Sequence, residues 1–342
     1  MARYPTYPRR RRRRRVRTSL LLVAVMGLAA GIWWIFIRNE SSTSVDGNLA
    51  LGPQPTLTTD RPEILPESQP RPGISEKGDS PVPGTPVYPT DSPGQRAESL
   101  LAAGQRALES GELITARAYL SEALQLGLRE PELSLVRAEL TRIGNETVFL
   151  PSLFEGDPLV SRYVVKPGET LGKIAKANKV SADLLAAINH IPDKNRIRAG
   201  QTIKIIAGPF RAVIHKRSYS LDMYLGNTFM KHFKVGLGAE GSTPSGQWQV
   251  GTKLTNPTYY PPRGGRIVAA DDPDNPLGER WIGLVGVGGE AAGQERYGIH
   301  GTIDPETVGQ NVSLGCIRMY NEDVEALYTY LIPKHSTVTV LD

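Results

Sequence analysis

Tyr297-Gly298-Ile299-His300-Gly301-Thr302, followed by Ser313-Leu314-Gly315-Cys316-Ile317-Arg318-Met319, decides how the C-terminal part of this 342-residue chain is read. Acyl transfer from an amide needs a nucleophile, a base to take its proton, and donors for the oxyanion. Cys316 can attack once a nearby imidazole lowers its pKa. His300 can be the base, since an unperturbed imidazole titrates near neutrality. Gly315 lets a substrate approach the backbone closely, and the Gly315 and Cys316 amides are candidate oxyanion donors. Arg318 can engage a carboxylate. Cys316 is the sole cysteine, which excludes an intrachain disulfide framework and leaves a thiol that is either inert or reactive. A Cys and a His sixteen residues apart also arise by chance, so the spacing alone decides nothing.

Around these stretches, from Phe210 onward, the pattern is mostly period two. Leu221, Met223 and Leu225 alternate with Asp222 and Tyr224, Phe233 and Val235 flank Lys234, and Thr337–Leu341 closes the chain as a strand. One amphipathic helix carries Val324, Leu327, Tyr328 and Leu331 on one face, with Asn321 as its expected cap. An antiparallel, sandwich-like β domain with few helices is expected.

The full string resembles the catalytic signature of the L,D-transpeptidase (YkuD-type) family: His-Gly, an interval, then Ser-x-Gly-Cys-Ile-Arg-Met. The resemblance covers about residues 209–342 and takes in Ser242-Thr243-Pro244-Ser245-Gly246, Asn256 to Pro262, Asn275-Pro276-Leu277-Gly278 and Trp281-Ile282-Gly283-Leu284. Trp248 stands where the family usually has Phe. The resemblance implies a mainly β, sandwich-like catalytic domain acting on peptidoglycan stem peptides. Cys316 would attack the carbonyl after the L-centre of a diamino acid in a tetrapeptide stem. D-alanine would leave, and an amine would resolve the thioester into a 3→3 crosslink. It further implies His300 as base, the Gly301 backbone carbonyl as the group orienting it, and Gly315, Ser313, Arg318 and Tyr297 on the oxyanion and substrate side. No metal or cofactor is implied, and carbapenem sensitivity is.

The preceding unit, residues 162–206, has the order β-α-α-β. Tyr163-Val164-Val165 is a strand, Thr170 and Ser181 can cap two short helices, and Thr202–Ile206 is a second strand. With Gly168-Glu169-Thr170-Leu171, Asn189 and Gly200-Gln201 it resembles a LysM domain, which implies binding to the N-acetylglucosamine-containing glycan of peptidoglycan. A folded spacer that binds nothing is the plain alternative. Residues 95–147 are rich in Ala, Leu, Glu and Arg at helical spacing, and Leu100, Gly104, Ala107, Ala116, Leu120 and Ala123 resemble one tetratricopeptide repeat. A helical spacer is the expectation there, with a protein-partner surface as the other reading.

The net charge of +5 is local, because residues 1–17 hold nine Arg and no acid, leaving 31 basic against 35 acidic side chains elsewhere. The basicity thus belongs to one tail and not to a nucleic-acid-binding face; an Arg run can bind nucleic acid, but its place beside an apolar segment points to a topogenic role. The tail abuts Leu20–Ile37, a charge-free run of about 27 Å as a helix, so 18–38 is read as a transmembrane helix with the Arg cluster cytoplasmic. A cleaved signal peptide is the rival, disfavoured by the length of the run and the lack of a small-x-small site. Residues 39–93 are Pro-rich, lack apolar periodicity, and read as a disordered tether reaching roughly 40 Å.

Three features point less sharply. Gly286-Val287-Gly288-Gly289-Glu290-Ala291 fits a loose dinucleotide pattern, but with no βαβ unit it is expected to be a flexible loop and a candidate lid. His190, His215, His232 and His335 lack ligand spacing and are expected to be surface or packing residues. Asp271, Asp272 and Asp274 are expected to be solvated rather than a calcium site. Four functional alternatives stay open: water resolving the thioester (an L,D-carboxypeptidase), exchange of D-amino acids or attachment of wall to a protein lysine, a non-catalytic wall-binding scaffold, and a cysteine endopeptidase of another fold.

Overall fold

The computed structural model describes residues 92–262 and 264–342. The Arg-rich tail, the apolar run and nearly all of the Pro-rich tether lie outside the described residues. Among the described residues no helix is long and apolar enough to cross a membrane.

Three helices come first: α1 (Pro93–Glu109), α2 (Leu113–Gly127) and α3 (Glu132–Gly144). Ser92 and Gln95 form a reciprocal capping box and Pro93 takes the first turn, so α1 begins inside the stretch read as tether. The helices do not stand clear as a spacer. Leu120, Leu140 and Ile143 share a core with Tyr224 and Phe229 of the catalytic sheet. Burying each such side chain stabilises the contact by about 1.5–3 kcal/mol.

The next unit is β1 (Val160–Val164), α4 (Leu171–Ala177), α5 (Ala182–Ile188) and β2 (Thr202–Ile206), with β1 and β2 antiparallel. Thr170 and Ser181 accept from Lys173 and Leu184 amides and cap the two helices. Asn189 accepts from the Lys204 amide at 2.7 Å and donates to its carbonyl at 2.8 Å, tying the end of α5 to β2. A buried ion pair binds this unit to the helices: Arg117 on α2 meets Asp157 at 2.6 Å, and Lys204 donates to the carbonyls of Thr147, Leu150 and Ser152. Such a pair adds little net stability, but losing one partner strands a buried charge.

The C-terminal part contains β3 (Phe210–His215), β4 (Ser220–Leu225), β5 (Thr228–Lys234), β6 (Leu237–Gly238), β7 (Gly246–Thr255), β8 (Arg280–Gly289), β9 (Tyr297–His300), β10 (Asn311–Ser313), β11 (Ile317–Arg318), α6 (Asn321–Tyr330) and β12 (Thr337–Leu341). One eight-stranded sheet runs β11-β9-β8-β7-β12-β3-β4-β5, and β10 pairs with β6 separately. The domain is mainly β as expected, but its large sheet is mixed and not antiparallel throughout. After β11 the chain crosses over through α6, so β12 enters between β3 and β7, parallel to the first and antiparallel to the second. β11 runs parallel to β9, which it reaches through a separate connection, residues 301–316, that carries β10. The inner face shares one core with α6, built on Trp248, Ile282, Ile299, Ile317, Val324, Leu327 and Val340.

Two expectations change here. Gly286 to Gly289 form the end of β8, opposite Trp248 to Gly246 of β7, so they are paired strand and not a flexible loop. Asn321 does not cap α6. Tyr320 holds that position without a side-chain cap bond, and the Asn321 amide is used elsewhere. The carboxylates Asp271 and Asp272 bind Asn256 and Arg266, and among the described residues no His/Cys/Asp/Glu group could hold a metal.

Candidate active site

Strand alternation assembles the site. In the parallel β9–β11 pair, Ile317 lies beside Ile299 and Arg318 beside His300. Side chains of paired residues share a face, and alternate residues return to it. Ile299, Ile317 and Met319 therefore enter the core, each no more than 1% exposed. His300, Arg318 and Cys316 fall on the opposite face, where all three line a cleft of about 510 Å³ together with Ser313. Cys316 falls opposite Gly298 in the same register, a diagonal neighbour of His300. Diagonal pairs have Cα atoms about 7–8 Å apart, within reach of a thiol and an imidazole. Among the described residues no hydrogen bond joins Cys316 to His300. The thiol's contact is the Arg296 carbonyl at 4.0 Å.

The imidazole is held from two sides. His300 Nδ1 lies 2.6 Å from the Gly301 carbonyl. A carbonyl only accepts, so Nδ1 carries the proton and Nε2 is left as a bare acceptor. The Trp281 indole stacks on the ring with centroids 5.8 Å apart and planes 18° apart. Gly298 admits that indole, since a Cβ there would lie 2.5 Å from it.

A small hydroxyl network shapes the thiol's turn. Ser313 Oγ donates to the Cys316 carbonyl at 2.6 Å and accepts from the Gly315 amide at 3.1 Å. Thr243 Oγ1 donates to the Gly315 carbonyl and accepts from the Gly238 amide, both at 2.9 Å. Gly315 has φ +128°, and a Cβ there would sit 2.7 Å from the Tyr297 ring. Two expected roles change as a result. The Gly315 amide is engaged by Ser313 and is not free as an oxyanion donor, while the Cys316 amide has no protein partner among the described residues. Tyr297 points to the core face, between Trp248 and Gly315, and supports the turn from below instead of lining the cleft.

A family model for the L,D-transpeptidase catalytic domain matches residues 209–340, and one for the LysM domain matches residues 163–205. YqjB of Bacillus subtilis (strain 168), provisionally named an L,D-transpeptidase, is 38% identical over 131 residues, spanning 38% of this chain and 70% of that protein. YkuD of Bacillus licheniformis, provisionally named likewise, is 31% identical over 186 residues, spanning 52% of this chain and 97% of its own length. This chain belongs to the L,D-transpeptidase family. An L,D-transpeptidase structure from Mycobacterium smegmatis aligns with 42% of this chain and 64% of its own, just under two thirds, at 13% identity and a TM-score of 0.31.

Electrostatics in this L,D-transpeptidase run against the expected lowered thiol pKa. Burial pushes the Cys316 thiol up, countered in part by the Gly298 amide and by the Arg318 charge. Burial also pushes His300 down to about 4, with the Gly301 carbonyl opposing and Arg318 adding to the fall. The resting pair is a neutral thiol and a neutral imidazole. Arg318 donates to Thr307 Oγ1 at 3.3 Å, pairs with no acid among the described residues, and keeps a buried Nε without a partner. That guanidinium can donate to a carboxylate. The missed residues are Thr243, Trp281 and Asn321. The first two lie in quoted family stretches, but only the fold shows what they touch.

The four scattered histidines divide. His232 Nδ1 and His215 Nε2 lie 2.7 and 3.5 Å from Asp222, which also meets Arg137 of α3 at 2.5 Å. These partners hold the buried Asp222 carboxyl far below its usual range, against a burial penalty that acts the other way. The cluster ties the helices to the sheet.

Proposed function

We propose that this protein is an L,D-transpeptidase in which Cys316 acts on peptidoglycan tetrapeptide stems through a thioester. The observation that carries the reading is the common face of β9 and β11, which brings Cys316, His300 and Arg318 into one cleft, with His300 Nδ1 bound to Gly301. Sγ attacks the carbonyl after the L-centre of the diamino acid as its proton passes to Nε2 of His300. The Cys316 amide faces the developing oxyanion. The imidazolium returns the proton to departing D-alanine, leaving the thioester and a neutral His300. An acceptor amine, its proton taken by Nε2, attacks the thioester and yields a 3→3 crosslink while the thiol is restored. Arg318 holds a substrate carboxylate.

The LysM domain supports wall association by binding glycan on a module joined to the catalytic domain, which raises the local concentration of stems. Ser181 of α5 donates to the Thr329 carbonyl of α6 at 2.6 Å, so the two modules are directly joined. The charge-free run Leu20–Ile37 behind nine Arg supports a membrane-anchored form with the catalytic part outside.

The test is mass spectrometry of the full chain with disaccharide-tetrapeptide, wild type beside Cys316→Ala. Dimers linked 3→3 with loss of D-alanine, absent from the variant, establish the transpeptidase. Tripeptide monomers alone indicate an L,D-carboxypeptidase. Absence of turnover and of any acyl adduct, in a folded protein that retains glycan, indicates a scaffold.

A further inference from the structure

Asn321 opens α6, where an asparagine's usual use is to cap its own helix. Here neither amide atom turns back on the helix. Oδ1 accepts from the Thr302 amide and Nδ2 donates to the Thr302 carbonyl, each at 3.1 Å, across 19 residues of sequence. Two bonds to one residue's N–H and C=O fix a backbone as a strand partner does. The chain on either side is stripped to make room. A Cβ on Gly301 would lie 2.0 Å from Oδ1, and one on Gly278 would lie 2.2 Å from it. Asn321 thus sits between the His-Gly turn and the end of the excursion whose Pro276 and Leu277 wall the cleft. Its own anchorage is firm, because Val324, Leu327 and Leu331 behind it are fully buried.

We propose that Asn321 is the positioning residue for the base: by clamping Thr302 it fixes the Gly301 carbonyl against His300 Nδ1–H, and so selects the tautomer whose Nε2 is free. This rests on the reading of His300 as the base. The chemistry requires a carboxamide, which alone offers one acceptor and one donor at that length. Aspartate keeps the acceptor and loses the donor. Glutamine is a methylene too long for the space between two glycines. Leucine has the size and neither bond. Asn321 is exposed to solvent on its outer side, so its replacement leaves no large cavity.

The full chain, labelled with ¹⁵N-histidine, gives five imidazoles to follow. Wild type is expected to show His300 as a single Nδ1–H tautomer. In Asn321→Leu the His300 signals are expected to average between tautomers. A misplacement of this kind lowers kcat on the order of 10²-fold, with KM changed by less than about twofold, since ground-state binding is untouched. Asn321→Asp should fall between wild type and Asn321→Leu on both readouts. Asn321→Leu with a single Nδ1–H tautomer and kcat within about threefold of wild type overturns the proposal. So does a loss of kcat matched by loss of native near-ultraviolet dichroism while Asn321→Asp, folded, keeps the wild-type tautomer and rate. If wild type turns over no tetrapeptide, the functional reading falls. The tautomer measurement still decides whether Asn321 positions the imidazole.

Discussion

His300 ends β9 with 5% of its surface exposed, pinned at Nδ1 by a carbonyl and covered on its face by Trp281. Cys316 stands one strand away in a turn, partly open to the cleft, its sulfur meeting the Arg296 carbonyl at 4.0 Å and the Gly298 amide. The His300 half, the proposed base, is rigid and dry. The Cys316 half, the proposed nucleophile, is shaped through its backbone by Ser313 and Thr243. Burial acts on both, yet in opposite chemical directions: it lowers the imidazole to about 4 and raises the thiol. A thiolate–imidazolium pair would need the reverse. Under the proposed mechanism, the difference implies that proton transfer and attack belong to one event.

The sharpest break of the comparison removes one half at a time. Cys316→Ala should lower kcat on the order of 10⁶-fold, and His300→Gln should come close to it, because a neutral thiol without its base is a poor nucleophile. The double variant should be no worse than either alone. Single-turnover assays of the three settle the point, and additive losses would mean the halves work separately.

Next in size is the turn. Ser313→Ala leaves the Gly315 amide and the Cys316 carbonyl unpaired, a cost of about 1–3 kcal/mol in denaturant unfolding. The same change should cut kcat on the order of 10²-fold by loosening the sulfur's position. Thr243→Val should destabilise to a similar degree by stranding Gly238 and Gly315. If neither variant alters kcat, the backbone network is not what holds the thiol.

The pH dependence discriminates the two charge states directly. With His300 at about 4, the acid limb of kcat/KM should fall near pH 4 and not near 6.5. Between those values the unfolded chain binds a proton that the folded imidazole refuses, so stability should drop as pH falls through that window and be unaffected above it. Alkylation of Cys316 by iodoacetamide should be slow at neutral pH and rise only above the ordinary thiol range. Fast, pH-independent alkylation down to pH 5 would reveal an ion pair instead.

How much of this was legible varies by the kind of information. The thiol, the imidazole, the guanidinium and the carbonyl that accepts from Nδ1 sit in contiguous motifs, and residue-level chemistry with a family resemblance reached them. The LysM helices were legible because Thr170 and Ser181 cap locally. The parallel placement of β12 and β11 was not, since strand order depends on a crossover that period-two patterning does not encode. The Gly315 amide was misjudged because its hydroxyl partner, Ser313, looked like a substrate contact. Asp222 with Arg137 and two histidines was invisible as a group, its members being brought together from α3 and three strands. Asn321 looked like a cap because it opens a helix, and only the approach of Thr302 shows otherwise.

The smallest expected effect tests the cover on the base. Trp281 stacks on His300 at 5.8 Å and covers one face of its ring. Such stacking contributes about 0.5–1.5 kcal/mol beyond the area it buries. Trp281→Leu keeps an apolar side chain and β8 pairing but thins the cover, so water reaches the imidazole. Desolvation is the main cause of the low His300 pKa, and easing it should move the acid limb of kcat/KM up from about 4 toward 6.5. At neutral pH the rate should fall only slightly, because Gly301 still fixes Nδ1 and the resting imidazole is still neutral. A rate loss at neutral pH as large as that of Ser313→Ala, with the acid limb unmoved, would assign Trp281 to substrate contact and leave the dryness of the base half to other groups.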